Sequence, residues 1–489
     1  MIMKKSIIIV FVTLILPVIA GAQALKGSYF MDNSLNRNKM NPAFAPRSNY
    51  LQLPGMGNIT AGAVTNLDFP TFLYPHNGEL LTFLNHNVTM GQFDKALARY
   101  PHIDAEASAN ILNFGFYNKH KDFWTFDLSV RSGVDVDVPR DLFVFLKKGT
   151  GTSGESFNIA NINAYAHASV QAALGWSRNI TESIRVGAKV RLVAPVAYAA
   201  LNLEQVRLTT SPEKWTVETE GYAYAAMQGL DIDMPQGEST PEVGFDISRL
   251  LANKALAGFG GSIDLGVEWQ IIEEGFFKGL SISGAVTDLG LISYSSSALH
   301  AYSTSGKVDW VGFQDVNLDN MDMEAAVNDF VESAKEELLN LKQENASGLL
   351  RSTMPSVYAG VEVPVLWNRM SFGLLYSGRF SHSYYRQELT ASYNLVPCKW
   401  LALGVNYSML NTVSTLGCLL EFTPKAGLNF CLGCDYIPVE WTPAPMLDDM
   451  VQMPQWAVDR GYAHVHLPTS LRLNLHFGLS FALGSKYGR

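Results

Sequence analysis

Charged residues are scarce in this 489-residue sequence, at 17% of the chain, whereas soluble domains typically carry about 25%. The formal net charge is −9, so the chain lacks the basic surface that nucleic-acid binding requires. Beyond residue 22, no run approaches the ~18 consecutive apolar residues that a transmembrane helix needs. Any passage through a membrane must therefore use strands.

Enzyme motifs are also missing. The sequence contains no Gly-x-Ser-x-Gly, His-Glu-x-x-His or phosphate-binding loop, which leaves a barrel-borne hydrolase as the only enzymatic alternative. The four cysteines are Cys398, Cys418, Cys431 and Cys434. Residues three apart on a strand face opposite sides, so Cys431 and Cys434 do not bind one metal ion together. We therefore expect neither an enzyme, nor a metal site, nor a cofactor.

The N-terminus carries an export signal. Lys4 and Lys5 form a basic region, residues 7–19 are apolar, and residues 20–22 are small. This order is typical of a secretory signal peptide over residues 1–22, with the mature chain starting at Gln23. The protein is therefore expected outside the cytoplasm.

Strict alternation of apolar and polar residues marks the stretch 471–483. Its odd positions are Leu471, Leu473, Leu475, Phe477, Leu479, Phe481 and Leu483. The even positions are polar or small: Arg472, Asn474, His476, Gly478, Ser480 and Ala482. A period of two indicates an amphipathic strand, whose apolar face meets lipid in an outer-membrane barrel and whose polar face lines the lumen.

The same alternation recurs along the chain and predicts about 14 strands. We expect them at 51–66, 106–117, 122–137, 160–178, 184–208, 257–271, 279–294, 354–366, 370–381, 385–397, 400–411, 414–424, 428–440 and 469–484. Long segments, such as 67–105, 138–159, 209–256, 295–353 and 441–468, then all fall at one end of the strands. The short connections fall at the other end, except for two tight turns, 381–384 and 411–414, that join the long segments.

This sorting is typical of outer-membrane barrels, which have short periplasmic turns and long outer loops. The predicted fold class is therefore all-β: a transmembrane antiparallel β-barrel with residues 51–489 in the barrel and its loops, and with both termini in the periplasm. A large secreted sandwich or propeller is the alternative, although it predicts no such sorting.

The segment 34–47 contains Asn41-Pro42-Ala43 and precedes the first strand. In this place it resembles the N-terminal hatch of the long-chain fatty-acid transporter (FadL-like) barrels. With Tyr50-Leu51-Gln52-Leu53-Pro54-Gly55, it is most similar to a family of uncharacterised Bacteroidota outer-membrane barrels related to that class. The resemblance implies that residues 23–50 form a plug inside the lumen, with Asn41, Pro42 and Ala43 at its centre. An ordinary Asn-Pro turn is the alternative.

Charged and polar side chains on the inward face of the predicted strands are the candidate lumen lining. They include Arg185, Lys189, Arg191, Glu268, Arg379, Glu388, Arg472 and His476. Two interpretations stay open. The charges form an internal ion-pair network that fills the barrel and anchors the plug, or they select a polar or ionic solute. Arg185, Lys189 and Arg191, which crowd one strand, favour an anionic head group in the second case.

The outer loops have unexpected apolar content. Phe69, Phe72, Leu81 and Phe83 form either a hydrophobic capture groove or a small helical cap that buries its own apolar face. The segment 319–343 is predicted to be an amphipathic helix with an acidic outer face, packed over the barrel mouth as a cover, a lid or a docking element.

Two functions follow from these features. The first is an outer-membrane barrel that passes or binds hydrophobic or amphiphilic small molecules. The second is a non-transporting scaffold, or an assembly or secretion-system partner, that binds a periplasmic or surface protein. Contact with outer-membrane lipid is expected in both cases.

Overall fold

The structure, a computed structural model, describes most of the chain. The described residues are 25–483 without 33, 77–78, 149–155, 160, 211–214, 234–241, 247–255, 272–273, 276, 311–340, 367–368, 383, 411–412, 425–426, 440, 444–465 and 469–470. The predicted signal peptide and residues 319–340 of the predicted loop helix lie outside them.

Twenty-six strands are formed by the described residues. In chain order they are β1 (Asn49–Gln52), β2 (Ile59–Thr65), β3 (Leu73–His76), β4 (Glu79–Thr82), β5 (His102–Tyr117), β6 (Phe123–Asp137), β7 (Ser156–Asn158), β8 (Ile162–Asn179), β9 (Ile184–Thr210), β10 (Trp215–Met227), β11 (Leu230–Asp233), β12 (Glu242–Phe245), β13 (Gly258–Gln270), β14 (Ser281–Tyr294), β15 (Leu299–Trp310), β16 (Leu341–Glu344), β17 (Leu349–Ser352), β18 (Ser356–Val365), β19 (Met370–Phe380), β20 (Tyr385–Cys398), β21 (Leu401–Leu410), β22 (Val413–Phe422), β23 (Leu428–Pro438), β24 (Trp441–Pro443), β25 (His466–Pro468) and β26 (Leu473–Leu483).

Three short α-helices lie in the outer loops: α1 (Phe69–Phe72), α2 (Met90–Ala96) and α3 (Arg140–Lys148). Two 3₁₀ turns, Lys26–Ser28 and Arg37–Lys39, precede the first strand. Among the described residues, no helix is long and apolar enough to cross a membrane.

A closed antiparallel barrel of fourteen strand positions dominates the molecule. β1 and β2 share the first position, and β5, β6, β8, β9, β13 and β14 follow. The barrel continues through β18 to β23 and ends with β26, which pairs with both β1 and β2 and so closes the sheet. The predicted fold class, a transmembrane antiparallel barrel of about 14 strands, is confirmed.

The last strand shows why the alternation is so regular. Leu473 and Leu475 are each 46% exposed on the outer face, whereas Asn474 and His476 are buried inside. Because the outer face meets hydrocarbon and the inner face meets packed polar groups, each position tolerates only one class of side chain. The alternation of apolar and polar residues in the sequence therefore reflects these two environments.

Three details differ from the predicted elements. The first predicted strand, 51–66, is interrupted at 53–58, where Pro54 has no N–H and Gly55 adopts φ +70°. The segments 209–256 and 295–353, expected to be loops, contain β10 and β15, which extend the sheet outward from the long β9. Residues 341–343, expected to end a helix, belong to strand β16 instead.

Candidate functional site

The N-terminal segment before β1 lies inside the barrel. Tyr29, Met40 and Asn41 are completely buried, although they belong to no strand. They are covered because the surrounding wall supplies contacts from β13, β14 and β18 to β23. We call residues 25–48 the plug. It occupies the place that the resemblance implied for residues 23–50.

The Asn41-Pro42-Ala43 motif lies against a notch in the wall made of two glycines. Gly187 of β9 and Gly266 of β13 are direct partners across the two strands. A Cβ at Gly187 would overlap the Pro42 carbonyl, and one at Gly266 would overlap the Asn41 amide. The backbone of the plug therefore approaches the wall more closely than it could if positions 187 and 266 carried side chains.

Asn41 fixes this contact with hydrogen bonds. Its Nδ2 donates to the backbone oxygens of Val267 (3.2 Å) and Gly284 (3.4 Å), while its Oδ1 accepts from the Ala43 N–H at 3.0 Å. The side chain thus closes a local turn and reaches two wall strands at the same time. An ordinary Asn-Pro turn would make only the local bond.

Aromatic side chains hold the middle of the plug. Tyr29 packs edge-on against Phe30 and Phe44, with ring centroids 4.8 and 5.0 Å apart. The Phe30 ring lies over Gly360 and Gly373, where a Cβ would overlap it. Glycines in the barrel wall therefore mark the points where the plug contacts it.

The first residues of the plug bind to the far wall. The Lys26 backbone N–H donates to Asp435 Oδ2 at 2.8 Å, and the Lys26 ammonium pairs with Glu388. The same ammonium lies 2.9 Å from Tyr436 Oη, and that hydroxyl donates to Glu388. Paired and hydrogen-bonded charges of this kind are tolerated in an interior, whereas removal of one partner leaves a costly buried charge.

A second set of polar contacts fixes the part of the plug near the interrupted strand. Asn36 lies 2.8 Å from His476 Nε2 and accepts from Asn58 Nδ2 at 2.6 Å. Lys39 donates to Asn110, and Lys189 donates to the Asn38 backbone oxygen, both at 3.2 Å. Two of the predicted lumen residues, Lys189 and His476, thus contact the plug directly.

An ion-pair network crosses the lumen above the plug. Arg191 bridges Asp264 and Asp288, each at 2.8 Å, and Arg131 contacts Asp288 at 2.9 Å. Arg379 pairs with Glu106 on the other side. Arg191 also donates to Gln171 Oε1 at 3.1 Å. The three guanidinium groups are each balanced by a carboxylate, as the network interpretation requires.

The other predicted lumen residues also lie inside. Arg472 is buried, with its Nε donating to the Thr65 backbone oxygen at 2.8 Å and Nη2 3.4 Å from Asp68. Arg185 is buried across from Glu268 on the neighbouring strand and contacts Ser177 at 3.4 Å. Glu268 lines a cavity of about 390 Å³ below the plug.

At that lower cavity, the plug carries a carboxylate between two arginines. Asp32 pairs with Arg37 and lies 3.0 Å from Arg47. Burial alone would raise the pKa of the Asp32 carboxyl, but the guanidinium groups of Arg37 and Arg47 outweigh it and lower this pKa to about 2. The side chain is about half exposed, so dissolved salt screens both pairs.

Two adjoining cavities lie above the plug. The lower one, about 140 Å³, has Lys26 and Lys39 of the plug in its floor. Seven basic and four acidic side chains line it. The upper cavity, about 70 Å³, combines Val193, Tyr198, Ile292 and Tyr294 with guanidinium groups, and it shares Arg131, Arg191 and Arg379 with the lower one.

The apolar loop residues form a small packed cap. Phe72 contacts Phe83 and Phe143, with ring centroids 5.5 Å apart in both pairs, and Phe83 stacks on the buried Phe93 at 4.9 Å. Phe69 and Leu81 are partly buried beside them. These aromatic rings pack on one another, while Leu84 and Leu146 stay exposed.

The cysteines are free thiols in the described part of the chain. Cys431 is buried in the lumen beside the plug. Cys434 lies opposite the exposed Cys418 on the neighbouring strand, and the two are not bonded. No group of three potential metal ligands occurs among the described residues.

Several lumen residues escaped the sequence reasoning. The structure identifies them by contacts between positions more than 70 residues apart. They are Asp435, Tyr436, Asn36 and the pair Gly187 and Gly266. The sequence does contain a signal for Gly187 and Gly266. Each is a glycine at an inward position of a strand whose other inward residues are mostly polar, and a glycine inside a strand often marks close approach of another backbone.

The chain was compared with family models, curated proteins and solved structures. A match to the family of unknown function DUF5723 covers residues 42–435. No curated protein matches the sequence. The toluene transporter TbuX of Ralstonia pickettii is a similar solved structure, with 8% identity, 95% of this chain and 99% of that chain covered, and a TM-score of 0.39.

Two further solved structures are similar. The toluene transporter TodX of Pseudomonas putida is 9% identical, with 95% of this chain and 97% of that chain covered and a TM-score of 0.37. A FadL homologue of Pseudomonas aeruginosa is 12% identical, with 95% and 99% covered and a TM-score of 0.37. The last belongs to the class that the segment 34–47 resembles.

Proposed function

We propose that this chain, which belongs to the family of unknown function DUF5723, is an outer-membrane barrel that binds and passes a hydrophobic or amphiphilic small molecule. The observation that carries the proposal is the two-part cavity above the plug. Its upper part offers apolar and aromatic walls, and its lower part offers buried cations. A solute with an apolar body and an anionic head group matches both parts.

The apolar part of this site is formed by Val193, Tyr198, Ile292 and Tyr294. The Tyr198 and Tyr294 rings pack 4.6 Å apart and belong to a cluster with several alanines. Such a wall supplies area for an alkyl or aryl group, at about 25 cal/mol for each Å² removed from water.

The polar part offers two lysines that lie within salt-bridge distance of no carboxylate among the described residues. Lys39 contacts the Asn110 amide, and Lys189 contacts a backbone oxygen. Both line the lower cavity. A carboxylate or phosphate oxygen there would gain charge-assisted hydrogen bonds, which are about twice as strong as neutral ones.

Equilibrium binding of a fluorescent C12 carboxylate to the detergent-solubilised protein tests the proposal. Ile292→Gln places an amide in the apolar wall, so we expect about a tenfold loss of affinity. Leu291→Gln is the matched control, since Leu291 is 53% exposed on the outer face, and its affinity should stay unchanged. Equal affinities of wild type and Ile292→Gln, or no measurable binding by wild type, would contradict the proposal.

Residence in the outer membrane with both termini in the periplasm belongs to the same proposal. Epitope tags at Asn87 and at position 236 should be labelled on intact cells, whereas tags at Lys119 and at position 368 should not. Labelling of the latter pair without permeabilisation would reverse the orientation.

A protein-binding role is the second candidate. β9, β10, β15 and β16 form an antiparallel sheet that extends beyond the barrel and is larger than a pore needs. Mild detergent extraction separates the two functions. A stoichiometric protein partner favours the scaffold, and bound lipid without such a partner favours the carrier.

A further inference from the structure

One tight turn of the barrel folds inward across the outer mouth. β19 ends at Phe380 and β20 begins at Tyr385, and the Ser381 N–H donates to the Tyr384 oxygen at 2.9 Å. The sequence predicted this connection as an ordinary outer turn. Its side chains instead contact β5, β6 and β8, five or six strand positions away around the barrel.

The strongest of these contacts is with β5. The Tyr384 hydroxyl donates to Asp104, and the Arg386 guanidinium contacts the same carboxylate oxygen at 2.8 Å. The Tyr384 ring stacks on His102 with centroids 4.1 Å apart. Asp104 and His102 are buried, so these bonds form away from bulk water and are screened little by salt.

Two further contacts reach β6 and β8. Ser381 Oγ lies 3.3 Å from Asp135 Oδ1, and the His382 ring stacks on Tyr165 at 4.0 Å. The turn therefore spans the mouth from the β19–β20 side to the opposite wall. We call the turn formed by Ser381, His382 and Tyr384 the strut, because it is attached to the wall on both sides of the mouth.

The strut lies directly over the proposed binding site. Its base residue Arg379 lines both cavities, Arg386 lines the lower one, and His382 lines the upper one. A solute that enters from outside must pass beside or displace it. The plug closes the lumen from the other side, so the two cavities lie between two closures.

We propose that the turn formed by Ser381, His382 and Tyr384 is an outer gate, latched to Asp104 and Asp135, that opens by releasing this wall. The gate controls access to the cavities independently of the plug and of the identity of the solute. Its latch consists of side-chain contacts only, so it can release without breaking a strand pair. The proposal therefore remains testable even if no small molecule binds.

Access of a small thiol reagent measures the gate. In a variant whose four native cysteines are replaced, Thr287→Cys reports on the lower cavity above the plug, and Ser371→Cys reports on the cavity below it. The probe is the charged reagent sulfonatoethyl methanethiosulfonate, applied to protein in detergent.

Locking the gate is the first arm. Ser381→Cys and Asp135→Cys place two thiols at a native side-chain contact, and oxidation should join them as the turn and the wall move by small amounts. Once mass spectrometry confirms the disulfide, labelling of Thr287→Cys should be at least tenfold slower than in the reduced protein, while labelling of Ser371→Cys should not change. Equally fast labelling of Thr287→Cys with and without the confirmed disulfide would overturn the gate.

Weakening the latch is the second arm. Tyr384→Phe removes the hydroxyl donor to Asp104, and labelling of Thr287→Cys should accelerate severalfold. Tyr385→Phe is the matched control, since its hydroxyl is exposed and contacts only Tyr376 at 2.8 Å among the described residues. Equal acceleration by both substitutions, or acceleration by neither, would contradict the latch.

Discussion

At the scale of single residues, a close contact between plug and wall depends on two glycines, which have no side chain. Gly187 and Gly266 face each other across β9 and β13, and the Asn41-Pro42 backbone occupies the space that their side chains would take. The short motif in the plug and the glycine pair in the wall are thus two halves of one feature.

The substitution Gly266→Ala should loosen the plug. Its methyl group would overlap Asn41 and Pro42, and overpacking of this kind typically costs about 1–3 kcal/mol. We expect faster proteolysis within residues 34–47, measured by mass spectrometry. Gly261→Ala on the same strand is the control, because its Cβ would meet only the Arg191 backbone oxygen at 3.4 Å. Equal proteolysis of both variants would show that the notch does not hold the plug.

Asp32 gives the plug a pH dependence. Its pKa is lowered to about 2, so its ion pairs stabilise docking fully above the ordinary aspartate pKa of about 3.9 and lose that effect as pH falls through about 2. Asp32→Asn should therefore increase pepsin cleavage of the plug at pH 4 to 5, and wild type should approach the variant near pH 2. Added salt should narrow the difference. A gap that persists at pH 2 would assign the stabilisation to other groups.

At the scale of elements, the outward faces of the barrel strands are apolar. Leu475 is 46% exposed on this outer face, so Leu475→Arg should cost roughly 2–4 kcal/mol if the residue lies near the midplane of a membrane, and it should impair assembly. Leu475→Phe should assemble normally, as measured by heat-modifiable mobility in gels. Normal assembly of the arginine variant would place this face away from hydrocarbon. An arginine at the neighbouring inward position would also be destabilising, because Asn474 is fully buried and contacts Asp435. Asn474→Arg therefore cannot serve as a control that assembles normally.

The sequence predicted the strands well because each barrel position imposes lipid on one face and packed polar groups on the other. It failed where a local exception or a distant partner decides the conformation. The interruption at 53–58 depends on Pro54 and Gly55 within an otherwise regular strand. β10 and β15 pair with each other and with the end of β9 rather than with a neighbouring strand of the closed barrel, so the barrel alternation does not predict them. The inward direction of Ser381 and Tyr384 depends on aspartates about 250–280 residues away.

At the scale of the whole molecule, two parts of the same chain lie across the lumen: the plug, and the turn formed by Ser381, His382 and Tyr384. Removal of residues 34–47 deletes Asn36, Lys39 and Asn41 together with their contacts to the wall. We expect this deletion to raise single-channel conductance in planar bilayers while the barrel still assembles. An unchanged conductance in a folded deletion would show that the segment does not obstruct the lumen.

The bonds between plug and wall also constrain the order of assembly. Lys26 and Asn36 bind residues 409 and 440 positions later, on β23 and on the final strand β26. These partners become available only when synthesis and export are nearly complete, and β26 must at the same time find β1 and β2. Such distant closures are entropically costly and slow. The N-terminal segment therefore stays undocked until the last strands are in place to enclose it.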